Sequence, residues 1–309
     1  MIHERAVRFG AHGHLTGIVT LPAGGGSART AFVFLNAGVV HRVGPNRMYV
    51  IAARRLAQRG FLSVRFDLSG LGDSGSRRDA VAFEQAAALD TTEVLSAIQR
   101  DYGVARFVLA GLCSGAVAAF RGALADERVA GTVLLNPQGF AASPEWTTYV
   151  ATRAEARRIW QTKLLSSRSW RQALTGKSDY RRIFGVLRDR FGATGRRDAG
   201  VVSIADGLAA DFRRLTDRGV RFLLACSEGD FGMDYLTEIL GPRFARLERL
   251  DTLDLPAGDH SLTLAESQGR FFDGLERWAQ HFAGDEAFAP AFASVASDPV
   301  LAADRGRTA

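Results

Sequence analysis

Short apolar runs separated by amphipathic stretches set the rhythm of this chain. Arg5 to Gly10 and Leu15 to Leu21 alternate apolar and polar residues and lead into the turn PAGGGS, which predicts two paired strands. The runs TAFVFL (Thr30 to Leu35), FLSVRF (Phe61 to Phe66), RFVLA (Arg106 to Ala110), VAGTVLLN (Val129 to Asn136), VRFLLA (Val220 to Ala225) and LDTLDLP (Leu250 to Pro256) predict further strands. Helical periodicity falls between them, over Asn46 to Arg59, Phe83 to Arg100, the stretch ending near Ala125, and Leu264 to Phe282. Strands alternating with helices imply an α/β fold. Its mostly parallel sheet would be covered by helices on both faces, with the antiparallel pair at its N-terminal edge.

The rhythm breaks between Pro137 and Asp217, where the segments are basic and helix-like without a clear strand. The organisation expected is therefore a core of residues 1–136 and 219–283, a helical cap inserted over 137–218, and a flexible tail over 284–309. A length of 309 residues with 47% hydrophobic suits one such large domain. No apolar run reaches the roughly 18 to 20 residues that span a bilayer. The opening MIHERAVRFG is charged and strand-like, unlike a signal or transit peptide, so a soluble cytoplasmic protein is expected. Two cysteines without metal-ligand spacing argue against a disulfide scaffold and a metal site.

The net charge of +6 is concentrated in the insertion, at Arg153, Arg157, Arg158, Arg168, Arg171, Arg181, Arg182, Arg188, Arg190, Arg196, Arg197, Arg213 and Arg214. Such a patch could attract an anionic partner, or reflect a preference for arginine over lysine. Trp160 and Trp170 fit helix core positions better than a base-stacking platform, so nucleic acid is not expected.

The chemistry-bearing stretch is LAGLCSGAVAA, Leu109 to Ala119. A strand-to-helix elbow needs small residues two before and two after its apex. Centred on Cys113 these are Gly111 and Gly115; centred on Ser114 they would be Leu112 and Ala116, and leucine would crowd the turn. The register selects Cys113, giving a G-x-S-x-G elbow with cysteine for serine. The following helix aims its N-terminus at the thiol, which favours an anionic sulfur, and the N–H of Ser114 can serve as an oxyanion donor.

A nucleophile needs a base and an orienting acid. ACSEGDFGMD follows a late strand and offers Asp230 first and Asp234 second; LPAGDHSLT then presents His260 in a glycine-rich loop. Nucleophile, acid and histidine come in the order expected of this fold. The other formal motif is GLGDSG (Gly70 to Gly75) with Asp90 downstream, matching a dinucleotide fingerprint. Asp67 and Ser69 separate it from its strand and SRRDAVA follows instead of a helix, so no nucleotide cofactor is expected.

Together GLCSG, DLSGLGDSG and GDHS resemble the α/β-hydrolase superfamily over about residues 1–283. HRVGPNR (His41 to Arg47) with GLCSGA is similar to its serine-aminopeptidase-like branch, including hydrolases associated with exosortase and exopolysaccharide gene clusters. The resemblance implies Cys113 as nucleophile, Asp230 as acid, His260 as base, and a second oxyanion donor from the N–H of Gly38 or Val39. Asn36-Ala37 replaces the His-Gly expected after the third strand. Cysteine elbows also occur in dienelactone hydrolases, polyhydroxyalkanoate synthases and aminoacyl shuttles between carrier proteins.

Thiol chemistry suits thioesters, because exchange between sulfur species is nearly thermoneutral. The expectation is therefore an acyltransferase or thioesterase acting on coenzyme A or an acidic carrier protein, with the arginine-rich cap facing the anionic carrier. The alternative is an ester or lactone hydrolase, with His41, Arg42, Arg47 and Tyr49 as candidate polar substrate contacts, against the plainer reading that Arg47 and Tyr49 simply begin a helix. A non-catalytic partner protein on the same fold would be expected to lack part of the triad.

Overall fold

The computed structural model describes residues 2–22, 29–79, 81–140, 199–228 and 249–283, together with Asp230, Gly232, Met233, Leu236 and Thr237. Eight strands make one sheet: β1 (His3–Phe9), β2 (Leu15–Leu21), β3 (Thr30–Leu35), β4 (Leu62–Phe66), β5 (Arg106–Leu112), β6 (Val129–Leu135), β7 (Arg221–Ser227) and β8 (Leu250–Leu255). Their order is β1-β2-β4-β3-β5-β6-β7-β8. The β1–β2 and β2–β4 pairs are antiparallel, and every other pair is parallel. The helices are α1 (Met48–Gln58), α2 (Phe83–Tyr102), α3 (Ser114–Ala125), α4 (Ala199–Asp217) and α5 (Ala265–Ala279).

Side-chain alternation divides the core into two layers, one on each face of the sheet. In β3, Ala31, Val33 and Leu35 enter one cluster with Phe107, Phe120, Phe212 and Phe222, against α2, α3 and α4. Phe32 and Phe34 enter the other with Leu56, Phe61, Phe272 and Trp278, against α1 and α5. Every residue of β3 is buried, which is why its sequence is a continuous apolar run and not an alternating one. β1 lies at the edge and is largely exposed along its length. Each large core side chain contributes roughly 1.5–3 kcal/mol by leaving water.

The helix over 199–217 falls inside the expected insertion, yet its Phe212 ring packs 4.5 Å from Phe120 and 5.1 Å from Phe222. Leu208 and Leu215 are buried beside it. α4 therefore packs against α3 and β7. The sequence offered only a basic amphipathic pattern here, and the aromatic partners that bury its apolar face lie far away along the chain. The arginine-rich stretch from Arg153 to Arg197, and the tail over 284–309, lie outside the described residues. No described helix is long and apolar enough to cross a membrane.

Because the central strands are parallel, their C-terminal ends open on one rim of the sheet. The loops that follow β3, β4, β5, β6, β7 and β8 supply all the residues of the candidate site. A crevice at this rim is the usual place for a ligand in an open α/β sheet.

Candidate active site

β5 runs up to Leu112, and α3 begins at Ser114, so Cys113 alone makes the turn. Its backbone takes φ 58 and ψ −121, a conformation that non-glycine residues rarely hold. The flanking glycines make this possible. A Cβ at position 111 would lie 2.2 Å from the carbonyl carbon and oxygen of Gly115, and one at position 115 would lie 2.6 Å from the Asn36 carbonyl oxygen. The turn is pinned from below, where the Cys113 N–H donates to the Leu135 carbonyl at 3.0 Å.

His260 follows β8, and its Nδ1 lies 2.5 Å from Asp230 Oδ2. The Cys113 side chain also acts on this ring, favouring its protonated form after Asp230. Asp230, and after it the cysteine sulfur, hold the imidazolium's proton and push its pKa up to about 10 against the opposing effect of burial. Asp230 is held in turn. Its Oδ1 accepts the Gly232 N–H at 2.8 Å, and its Oδ2 accepts the Gln138 side-chain amide at 3.0 Å. Gln138 Nε2 also lies 3.4 Å from His260 Nδ1. Both nitrogens carry protons toward the shared Asp230 oxygen, so the carboxylate is the acceptor that makes the pair compatible.

The His260 loop is fastened by Asn136, which is fully buried just beyond β6. Its Oδ1 accepts the Ser227 N–H at 2.8 Å, and its Nδ2 donates to Ser227 Oγ and to the His260 carbonyl, each at 2.9 Å. One amide thus ties the ends of β6 and β7 to the histidine's own backbone. Asn46 adds a second tie, its Nδ2 donating to the Ser261 carbonyl at 3.1 Å. Neither asparagine, nor Gln138, stood out in the sequence. The available signal was a polar residue ending an otherwise apolar strand at Asn136.

On the other side of Cys113 lies the loop after β3. The Gly38 N–H donates to Ser114 Oγ at 2.8 Å, which brings Gly38 to the start of α3. Val39 beside it is 83% exposed. Asn36, standing where histidine was expected, shapes this loop: its Nδ2 donates to the Val40 carbonyl at 2.9 Å and to Asp67 Oδ1 at 3.0 Å, and its Oδ1 accepts the Leu68 N–H at 2.8 Å.

Of the four expected substrate contacts, the structure places Arg42 and Tyr49 in internal roles. Tyr49 is buried behind the elbow, and its hydroxyl accepts the Leu112 N–H at 2.9 Å. Burial raises its pKa, so the hydroxyl stays neutral. Arg42 ion-pairs with Asp67 and, at 2.7 Å, with Asp73. His41 Nε2 accepts from Arg42 at 2.7 Å and lies 3.3 Å from Asp73 Oδ2. His41, Asp67 and Asp73 bring ligand-type atoms within 4.8 Å of one another, and the Arg42 guanidinium already bonds all three. Arg47 is exposed at the start of α1 with φ 61. The sequence signal missed here was Asp67, whose oxygens also take the N–H groups of Arg42 (2.6 Å) and Asp73 (3.1 Å). Asp234 and the arginines from Arg153 to Arg197 lie outside the described residues.

Asp67 carries a prediction. It is fully buried, and exchanging it for asparagine would leave Arg42 facing a neutral amide in the interior. Asp67→Asn should cost about 3–5 kcal/mol of stability, read as a lowered urea midpoint. A loss under about 1 kcal/mol would mean that Asp73 alone suffices for Arg42.

An open, mostly parallel sheet with a strained strand-to-helix turn, followed by an aspartate and a histidine at later strand ends, defines the class of fold on which this site is built. Residues 18–274 match the profile of the Alpha/beta hydrolase family, and the chain belongs to that family. Among solved structures it is similar to a thermophilic esterase from Thermogutta terrifontis, at 18% identity, covering 91% of this chain and 99% of that one with a TM-score of 0.53. It is similar to a proline iminopeptidase of Mycobacterium smegmatis at 16% identity, 91% and 99% coverage and a TM-score of 0.54. XC6422 from Xanthomonas campestris, described as an α/β serine hydrolase without lid, matches at 14% identity, 92% and 97% coverage and a TM-score of 0.52. At these identities the likeness is one of fold. A comparison with curated proteins found no match.

Proposed function

We propose that this chain transfers acyl groups through a covalent acyl-Cys113 intermediate and that its substrates are thioesters, with coenzyme A or a carrier-protein arm as the leaving thiol. The reading is carried by one observation: the side chain at the strained elbow is a thiol that acts, with Asp230, to keep His260 protonated. In this scheme the sulfur attacks the acyl carbonyl carbon, forming an S–C bond. The carbonyl electrons move to oxygen and return as the leaving group departs. A thiol of pKa near 8.5 can leave as an anion, whereas an alkoxide needs the proton that His260 holds. Once the sulfur is acylated it carries no charge, and its part in holding the His260 proton disappears. The departing thiolate then takes the His260 proton, and the neutral imidazole can accept one from the acceptor, be it water or another nucleophile.

The second reading is hydrolysis of oxoesters or lactones, favoured by the esterase among the similar folds. The likeness of HRVGPNR to exopolysaccharide-associated hydrolases would fit within it, although His41 and Arg42 are engaged with Asp67 and Asp73. Incubation with S-acetyl-N-acetylcysteamine and with p-nitrophenyl acetate, followed by intact mass and peptide mapping, separates the two. The thioester should leave one acetyl group on Cys113 faster than its chemical reactivity alone predicts. An adduct formed only by the oxoester supports the second reading, and an adduct elsewhere removes both.

A further inference from the structure

The residue after the elbow was read for its backbone N–H, but its side chain occupies a position the reaction would use. Ser114 Oγ lies 2.8 Å from the Gly38 nitrogen and accepts its N–H. Gly38 was one of the two amides expected to face the developing oxyanion, so that amide already has a partner, and the partner is a hydroxyl. A hydroxyl that accepts through a lone pair retains its own proton. Among the described residues none accepts from Ser114 Oγ. Both Ser114 and Gly38 are exposed at the mouth of the site, where that proton can turn toward a substrate. An N–H donated to the oxygen also polarises the O–H and strengthens it as a donor.

We infer that Ser114 is a further catalytic residue: its O–H, backed by the Gly38 N–H, donates to the oxyanion together with the Ser114 backbone N–H. The inference rests on Cys113 being the nucleophile. When the S–C bond forms and the carbonyl π electrons settle on oxygen, that oxygen receives hydrogen bonds from one amide and one hydroxyl of the same residue. No proton leaves Ser114. When the oxyanion collapses, the C=O re-forms and the leaving group departs, taking a proton from His260 where it needs one. Gly38 thus acts one bond removed from the reacting oxygen. This explains how a loop carrying Asn36-Ala37 in place of His-Gly can still serve the site.

The test compares wild type, Ser114→Ala and Ser114→Thr by two readouts. The first is pre-steady-state acylation of Cys113 by p-nitrophenyl acetate. The second is the affinity of an aryl trifluoromethyl ketone, whose adduct with the cysteine places an oxyanion in the same position and is read by fluorine NMR. Ser114→Ala should slow acylation and weaken the ketone adduct by about ten- to a hundred-fold with little change in substrate KM. This is below the 10²–10³ typical of a lost oxyanion donor, because the freed Gly38 amide partly compensates. Ser114→Thr, which keeps the hydroxyl, should recover most of the loss. Unchanged acylation and ketone affinity in Ser114→Ala would overturn the inference. So would an increase, since it would mean the hydroxyl only fills the hole and must leave before substrate enters. If wild type acylates at Cys113 but the serine variants do not differ, only this inference falls. If wild type gives no Cys113 adduct with either compound, the acyl-cysteine reading falls and takes this inference with it.

Discussion

On the acyl-cysteine reading proposed above, Cys113→Ala should form no acyl adduct and should lose at least about 10⁴-fold in turnover, because removing a triad's nucleophile disables it as a unit. Cys113→Ser is the more informative change. The elbow would be unaltered, and the hydroxyl would sit where many enzymes of this fold carry their nucleophile. A serine hydroxyl, however, is a weak nucleophile until a base removes its proton. His260 is poised the other way, with its proton held by Asp230 and pushed up to about 10. Removing the sulfur takes away the second of its supports but leaves the first, the 2.5 Å contact with Asp230. The variant should therefore be slower than wild type at neutral pH by on the order of 10²-fold, recovering partly as alkali frees the imidazole. Rates with both ester types between pH 6 and 10.5 test this. A Cys113→Ser enzyme as fast as wild type at pH 7 would show that the site is tuned for a hydroxyl, and thioester preference would lose its physical basis. Turnover surviving in Cys113→Ala would remove Cys113 as nucleophile altogether.

What the sequence made legible divides along a physical line. Local signals sufficed where one segment determines its own geometry. The continuous burial of Thr30–Leu35 follows from its composition, and the elbow register follows from Gly111 and Gly115, whose absent Cβ atoms leave room for each other's backbone and for Asn36. The loops carrying Asp230 and His260 could be located because strand ends and chain order fix them. Roles that depend on partners distant in sequence were not legible. Tyr49 looked like an accessible polar residue until its hydroxyl was seen under Leu112, and Arg42 looked free until Asp67 and Asp73 were placed beside it. The helix over 199–217 read as part of an insertion because its apolar stripe is unremarkable without Phe120 and Phe222 to receive it. Gln138 has no local signature at all, and Asn136 only that of a polar residue ending an apolar strand; each acquires its role only when three strand ends converge.

That convergence gives Asp230 the other large expected effect. Its two oxygens accept three N–H groups, from His260, Gln138 and Gly232. An asparagine offers one acceptor oxygen and one donor nitrogen. If its oxygen faces Gly232, its NH₂ meets the donors of His260 and Gln138; if it is turned round, its NH₂ meets the Gly232 N–H. In either pose donors oppose each other, and the imidazole loses the acceptor that fixes its tautomer. Asp230→Asn should lower kcat by about 10³–10⁴-fold. The pH profile supplies the sign. Asp230 is the largest cause of the raised His260 pKa, so without it the proton is lost at lower pH, and the alkaline fall in oxoester acylation should move down from near 10 toward neutrality. Thioester acylation needs that proton less and should shift less. Asp234→Asn serves as the comparison and should stay within a few-fold of wild type. If Asp234→Asn collapses turnover while Asp230→Asn leaves both the rate and the alkaline limb in place, the orienting acid is Asp234. The 2.5 Å contact between Asp230 and His260 would then be no more than a structural tether of the histidine loop.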